Sequence, residues 1–269
     1  MSIILVGCGN MGFAMLKGWL DAGKLAPRDV TVFEPNAALA ERAGALGARI
    51  GTDPGSVTAA DTVVLAVKPQ AVAATLAEWR HLGNGPTLFL TVAAGTRIAL
   101  YEAILGAATP VLRCMPNTPA AIGMGMMVTV GNAHVSSAQR AEAHDLLSAS
   151  GAMAEIDNED LMDAVTAVSG SGPAYLFHFI EALTAAARSV GLPDGIAGQL
   201  AMQTIHGAAS LAAQSPDSPA RLREQVTSPN GTTAAALSVL MGDKALETLL
   251  TRAVIAARDR GVELGTLQA

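Results

Sequence analysis

Ile3-Ile4-Leu5-Val6-Gly7-Cys8-Gly9-Asn10-Met11-Gly12 opens the chain as a short apolar, strand-like run that feeds a glycine-studded turn and then a helical pattern. That order is the grip for a dinucleotide. Gly7 permits the tight turn, Gly9 lets backbone approach a pyrophosphate, and Gly12 lets the following helix pack close to the strand. Asn10 and Met11 then sit at a helix N-terminus, whose amides face the phosphates.

A second strand-like run, Val30-Thr31-Val32-Phe33, closes on Glu34, about 20 residues beyond the last glycine. A carboxylate at that place accepts hydrogen bonds from both ribose hydroxyls and repels a 2′-phosphate, so NADH is expected over NADPH. Arg42, on the next helix, is a basic group that could still meet a phosphate.

Apolar runs at 3–6, 30–33, 62–67, 87–92, 110–114 and 126–130 alternate with helix patterns, the rhythm of a doubly wound parallel sheet. Ligands bind beyond the carboxyl ends of such strands. Three further segments therefore belong to one crevice: Ala66-Val67-Lys68-Pro69, Ala93-Ala94-Gly95 and Met115-Pro116-Asn117-Thr118-Pro119. From Asn158 the chain changes to long Ala/Leu-rich helices, with Asn158 placed as a cap ahead of Glu159 and Asp160. Two domains are expected: an α/β Rossmann-type domain over 1–156, and an all-α dimerisation and substrate-binding domain over 157–269.

Hydrophobic residues make up 51% of the chain but aromatic ones only 3%, so the core is expected to rest on Ala, Leu, Val and Met. The formal charge of −6 and the lack of a basic run argue against nucleic acid and anionic membrane surfaces as partners. Two cysteines, Cys8 and Cys114, form no spaced framework and are read as reduced packing residues. No histidine stands at metal-ligand spacing, so no metal is expected. The first strand begins at once and no long apolar span occurs, which points to a soluble cytoplasmic protein.

Two loops in the second half exceed what a structural helical domain requires: Ser169-Gly170-Ser171-Gly172-Pro173 and Ser228-Pro229-Asn230-Gly231-Thr232-Thr233. Each precedes a helix, and its successive N–H groups can cradle an anion or be capped by Ser171 or Thr232. A carboxylate site is the better reading of the second loop. Ser171 lacks the surroundings of a nucleophile elbow, and no Lys or His stands as the proton acceptor that alcohol oxidation needs. A reaction with less demand for a side-chain base fits better.

Across nearly its whole length the chain resembles the pyrroline-5-carboxylate reductase family, enzymes that make L-proline by reducing a cyclic imine. The likeness rests on the glycine loop, on Ala66-Val67-Lys68-Pro69 and Met115-Pro116-Asn117-Thr118-Pro119, and most specifically on Asp163 to Tyr175 and Val226 to Thr233. The resemblance implies a homodimer, in some members a decamer of five dimers. It also implies NADPH or NADH along Gly7, Gly9, Asn10, Met11, Gly12, Glu34 and Asp53, with Val67, Lys68, Ala94 and Asn117 along the ribose and nicotinamide. Gly231 and Thr232 are implied as holders of the substrate carboxylate, Thr233 as the catalytic hydroxyl on the ring nitrogen, and Glu159 as a contact of the substrate region.

The family's Ser-Pro-Gly-Gly-Thr-Thr is altered here by Asn230, and its Glu-x-His-Pro by Pro216-Asp217-Ser218-Pro219. Asp53 replaces a common Asn and again disfavours a 2′-phosphate. A related imine or hydroxyacid reductase, or a dinucleotide sensor without turnover, are the alternative readings.

The stretch Ala174–Val190 is apolar almost all round, broken mainly by His178, Glu181, Thr184 and Arg188. About 110 residues of helical domain offer few elements to cover it, so an obligate oligomer is expected with this helix near its centre. Sedimentation at micromolar concentration should accordingly show no stable monomer; a stable monomer there would remove the inference.

Overall fold

The computed structural model describes residues 1–266. Eight strands form one sheet: β1 Ile3–Val6, β2 Val30–Phe33, β3 Arg49–Gly51, β4 Thr62–Leu65, β5 Leu88–Thr91, β6 Val111–Met115, β7 Gly125–Gly131 and β8 Gly151–Glu155. Their order is β3-β2-β1-β4-β5-β6-β7-β8. Helices α1 Asn10–Asp21, α2 Ala37–Gly44, α3 Val72–Glu78, α4 Ile98–Leu105 and α5 Ser137–Ser148 alternate with these strands. The chain continues through α6 Met162–Val165, α7 Gly172–Ser189, α8 Asp194–Gln214, α9 Pro219–Gln225, α10 Thr232–Met241 and α11 Ala245–Thr266.

The expected parallel sheet holds from β3 to β6, but β7 pairs antiparallel with β6, and β8 lies parallel to β7. Connection length decides this. Only nine residues, 116–124, separate β6 from β7, too few for the dozen or more that a parallel crossover needs. Between β7 and β8 the chain has room for α5, and the parallel sense returns. β3 and β8 were not anticipated from the apolar runs. β3 is a three-residue strand whose single β-branched residue, Ile50, is exposed beside Arg49, and β8 is built from Gly, Ala, Met and Glu, so neither carries a run of β-branched residues.

Alternation along the strands sends side chains into two cores. Ile3 and Leu5 of β1 join Met15, Leu16 and Trp19 of α1 on one face, while Ile4 and Val6 join Val72, Leu76 and Trp79 on the other. Burial of each such side chain contributes roughly 1.5–3 kcal/mol before ordering costs. The core rests mainly on Leu, Val, Ile, Ala and Met, in line with the composition, and a few aromatics add bulk to it. Trp19, Trp79, Tyr101 and Phe89 are among the largest fully buried side chains, and Trp79 meets Phe33 edge-on at 4.9 Å between ring centroids. Few aromatics occur, but this sheet uses them.

Compactness divides the chain elsewhere than the change in sequence character at 156/157. One compact unit is Met1–Ser171 with residues 257–266, and the other is Gly172–Ala256. Residues 157–171 belong with the sheet because Met162 is buried in its second core and Val165 packs against it. Asn158 does cap its turn, its side chain accepting from Asp160 N–H at 2.9 Å.

In the helical unit, α7 and α8 form an antiparallel hairpin around Gly191, whose φ of +95° suits glycine. Among its described residues only Ala197 and Ala201 are buried. Leu176, Phe177 and Phe179 of α7 are exposed, Phe177 by 58%. A chain segment that leaves such side chains in water lacks the burial needed to offset its ordering entropy by itself.

Cys8 and Cys114 are unpaired and buried, and burial pushes their thiols up to about 11 and about 12. Both therefore stay protonated and out of reach. At about pH 8 the folded protein should show essentially no reaction with a thiol-specific disulfide reagent, and both thiols should titrate after denaturation. Rapid native reaction at either would contradict this packing.

Candidate functional site

The glycine loop has steric reasons for its glycines. Gly7 has φ +87°, and a Cβ there would lie 2.8 Å from Ala66 O and 2.9 Å from Val67 Cγ1. A Cβ on Gly12 would come within 2.3 Å of Gly7 O, whereas one on Gly9 would meet nothing within 4 Å. So two glycines are fixed by crowding and the third by open space. Gly9 is the N-cap of α1 without a side-chain cap, and no acidic residue stands in the first turn. The first amides of α1 thus have no intrahelical partner and no competing carboxylate. This cradle fits a dinucleotide pyrophosphate.

Glu34 directly follows β2, beside that loop. Its Oε2 accepts from Cys8 N–H at 2.7 Å and its Oε1 from Asn36 N–H at 2.9 Å. Each carboxylate oxygen has a second lone pair, so ribose hydroxyls can still donate to it. Glu34 also lines a cavity of about 500 Å³ with Gly7, Gly51, Thr52, Val67 and Trp79, which gives an adenosine moiety a place beside β2. Asp53, by contrast, is engaged locally. It caps a short turn by accepting from Gly55 N–H at 3.0 Å. Lys68 is exposed, and Val67 is partly buried over Gly7.

Beyond β5 and β6 a polar framework fixes the remaining loops of this unit. Tyr101 of α4 places its hydroxyl 2.6 Å from Thr91 Oγ1 and 2.8 Å from Thr96 Oγ1. Thr96 in turn donates to Ala93 O at 3.0 Å, so the Ala93-Ala94-Gly95 turn is tied at both ends, with Gly95 at φ +74°. Asn117 ties the 166–170 turn to the start of β7, donating to Ser169 O at 3.1 Å and accepting from Met126 N–H at 2.9 Å. Gly170 passes so near Met115 that a Cβ would lie 2.5 Å from its Cε. Residues 166–170 form one wide π turn, a local irregularity that delivers Ser169 to Asn117.

Glu159 is placed differently from a simple helix-dipole partner of its own turn. Its Oε1 accepts from Ile98 N–H, the first amide of α4, at 2.8 Å and from Arg113 Nη1 at 2.9 Å. Arg113 rises from the middle of β6 and is only 5% exposed. Removing one partner of a buried pair of this kind costs about 3–5 kcal/mol. Arg113 was not anticipated from sequence, since a lone Arg in a strand pattern gives no sign of its partner. Glu159 and Arg113, with Gly95, Arg97 and Asp163, border a cavity of about 410 Å³.

In the helical unit, Gly231 is the N-cap of α10, and Thr232 and Thr233 are its first two helical residues. Asn230 adopts φ +58°, the left-handed conformation that Asn tolerates better than most residues. No side chain caps Gly231, so Thr232 is not the cap that was the simpler reading. Gly231 N–H donates to Ser228 O at 3.1 Å, and the next amides lack intrahelical partners. The altered segment at 216–219 has become a helix start: Ser218 caps α9 and Pro219 is its first residue.

Among the described residues no group of three or more His, Cys, Asp or Glu could hold a metal, and no helix is long and apolar enough to cross a membrane.

Residues 159–264 match the family model described as pyrroline-5-carboxylate reductase dimerisation. Residues 2–95 match that of NADP oxidoreductase, coenzyme F420-dependent, a likeness confined to the nucleotide-binding half. The pyrroline-5-carboxylate reductase of Pseudomonas aeruginosa is 42% identical over 264 residues, covering 97% of this chain and 96% of that protein. A solved pyrroline-5-carboxylate reductase from Coxiella burnetii superposes with a TM-score of 0.93 at 34% identity, over 98% of both chains. The pyrroline carboxylate reductase of Plasmodium falciparum, solved with NADP bound, gives 0.83 at 26% identity, again over 98% of both. Identity of this extent, carried through both halves of the chain, makes it a member of the pyrroline-5-carboxylate reductase family.

Proposed function

We propose that the chain is a pyrroline-5-carboxylate reductase, transferring hydride from NAD(P)H to the C=N carbon of 1-pyrroline-5-carboxylate to give L-proline. The observation that carries this is 42% identity to a pyrroline-5-carboxylate reductase over nearly the full length of both proteins. The nicotinamide dinucleotide, when bound, supplies the hydride. Everything else is positioning by the protein. The amides of Gly9, Asn10, Met11 and Gly12 hold the pyrophosphate, and Glu34 takes the adenosine ribose. Asp53 flanks that end. Val67, Lys68, Ala94 and Asn117 are assigned to the ribose and nicotinamide, in keeping with the bonds that fix the Ala94 and Asn117 loops.

The substrate's carboxylate is assigned to the backbone at Gly231 and Thr232, where the first amides of α10 beyond Gly231 lack intrahelical partners and a helix N-terminus favours negative charge. Thr233 Oγ1 accepts from the ring N–H and so orients the imine. A protonated imine is already an electrophile, which explains why no strong protein acid is required. Glu159 serves the substrate region through the α4 loop and Arg113, to which its Oε1 is bonded.

The functional boundary is placed at 1–156 and 157–269, the second part being the dimerisation and substrate-binding portion. Support comes from the family match at 159–264 and from the exposed apolar side chains of α7. The assembly is a homodimer, with a decamer of five dimers as its higher form. We place it in the cytoplasm, where reduced nicotinamide cofactors are available.

Mixing the purified chain with 1-pyrroline-5-carboxylate and either reduced cofactor should cause loss of reduced-cofactor absorbance. Because Glu34 and Asp53 set negative charge where a 2′-phosphate would lie, kcat/KM should favour NADH over NADPH by about tenfold, or 1.4 kcal/mol. Cofactor binding without turnover would defeat the reductase reading; a strong NADPH preference would remove the ribose role of Glu34. In the same assay Thr233→Ala should lower kcat/KM roughly 10 to 100-fold, about 1.4–2.7 kcal/mol. Unchanged kinetics would leave Thr233 with no part in orienting the ring.

A further inference from the structure

We infer that Arg42 is a positioning residue for the dinucleotide, holding the carbonyls of the glycine loop so that its amides are presented to the pyrophosphate. This rests on the dinucleotide reading of that loop. Arg42 stands in the last turn of α2, and its Nη2 donates to Cys8 O at 3.1 Å and approaches Gly9 O at 3.5 Å. Its Cζ lies 3.8 Å from the centroid of the Phe13 ring on α1, and its Nε is buried without a hydrogen-bond partner. The loop is therefore gripped by a group that belongs to neither β1 nor α1.

In a trans peptide the C=O and the following N–H point in opposite directions. Turning Cys8 O to Arg42 sends Gly9 N–H away from it, and Gly9 O does the same for Asn10 N–H. Gly9 O is fixed a second time by Phe13 N–H at 2.9 Å. On the other side of Cys8, its N–H donates to Glu34 Oε2 at 2.7 Å. The Cys8 residue is thus clamped at both its polar backbone atoms, by a cation at its carbonyl and an anion at its amide. Glycine-rich backbone has the most conformational freedom to lose, so a loop set in advance binds phosphate with less ordering cost.

The guanidinium also sets a positive charge beside the peptides assigned to the phosphates. Phe13 supports its flat face and leaves the edge free for the carbonyls. A lysine keeps the charge but has neither the flat face nor the fork. The sequence offered Arg42 as a candidate for a 2′-phosphate; the geometry assigns it to the part of the cofactor that NADH and NADPH share.

Dissociation constants of NADH, NADPH and ADP-ribose, measured for the wild type, Arg42→Met and Arg42→Lys, test the assignment. Arg42→Met should weaken all three by the same factor, about tenfold, or 1.4 kcal/mol, and should flatten the rise of the NADH constant with ionic strength. Arg42→Lys should retain that salt dependence but recover only part of the affinity. A loss confined to NADPH would make Arg42 a 2′-phosphate ligand and overturn the proposal, and unchanged constants for all three would do the same. Should Arg42→Met not fold, Arg42→Lys carries the comparison, because equal partial losses for the three ligands remain the expectation. A wild-type chain that fails to bind ADP-ribose would instead overturn the dinucleotide reading itself, before any variant is compared.

Discussion

Gly7 leaves the sheet where no side chain fits, its missing Cβ facing Ala66 O at 2.8 Å. That close approach of two backbones sets the rest. It brings the end of β1 against the turn after β4, and it aims the N-terminus of α1 out over the carboxyl edge of the sheet. Gly12, equally crowded against Gly7 O, holds the first turn of α1 down on the loop. With both ends of the turn fixed by sterics, Gly9 is left over open space, and the amides around it form an electropositive helix N-terminus.

A second constraint lies under the neighbouring loops. The Arg113–Glu159 pair, with the α4 amide at Ile98, links three chain segments that are far apart in sequence: 95–98, 113 and 159. Burying charge in this way is costly unless hydrogen bonds satisfy it, and here Glu159 serves two donors with one oxygen while Arg97 stands near the other. The Tyr101, Thr91 and Thr96 hydroxyls and the Asn117 amide extend the same function to the loops after β5 and β6. A reaction that needs orientation more than proton transfer is well served by loops held this firmly.

The helical unit follows a different economy. Its helices are rich in Ala, Leu and Met but bury almost none of them within the single chain. Helix propensity forms α7 and α8, and a second subunit must supply the cover that makes them stable. The start of α10, to which we assign the substrate carboxylate, lies in this unit and therefore depends on assembly for its rigidity.

Much of this was legible in the residues, for reasons that are local. The strand, glycine turn and helix at 3–21, the acid at Glu34, the cap at Asn158 and the left-handed tolerance of Asn230 are consequences of backbone preference and short-range spacing. β3 and β8 were hidden because edge strands need little apolar signature, and the reversal at β7 was hidden in a nine-residue connection rather than in any motif. The concentration of Trp19 and Trp79 in two separate cores could not be read from a 3% aromatic content. Sequence alone determined the Rossmann class, the dinucleotide loop and the likeness to imine reductases, since each is written in contiguous residues. Only the tertiary structure decided that Glu159 is bonded to Arg113 and the α4 amide, that Arg42 grips the glycine loop, and that residues 157–171 belong with the sheet. Those are contacts across 34 to 61 positions of chain, made by side-chain reach and packing that no local pattern encodes.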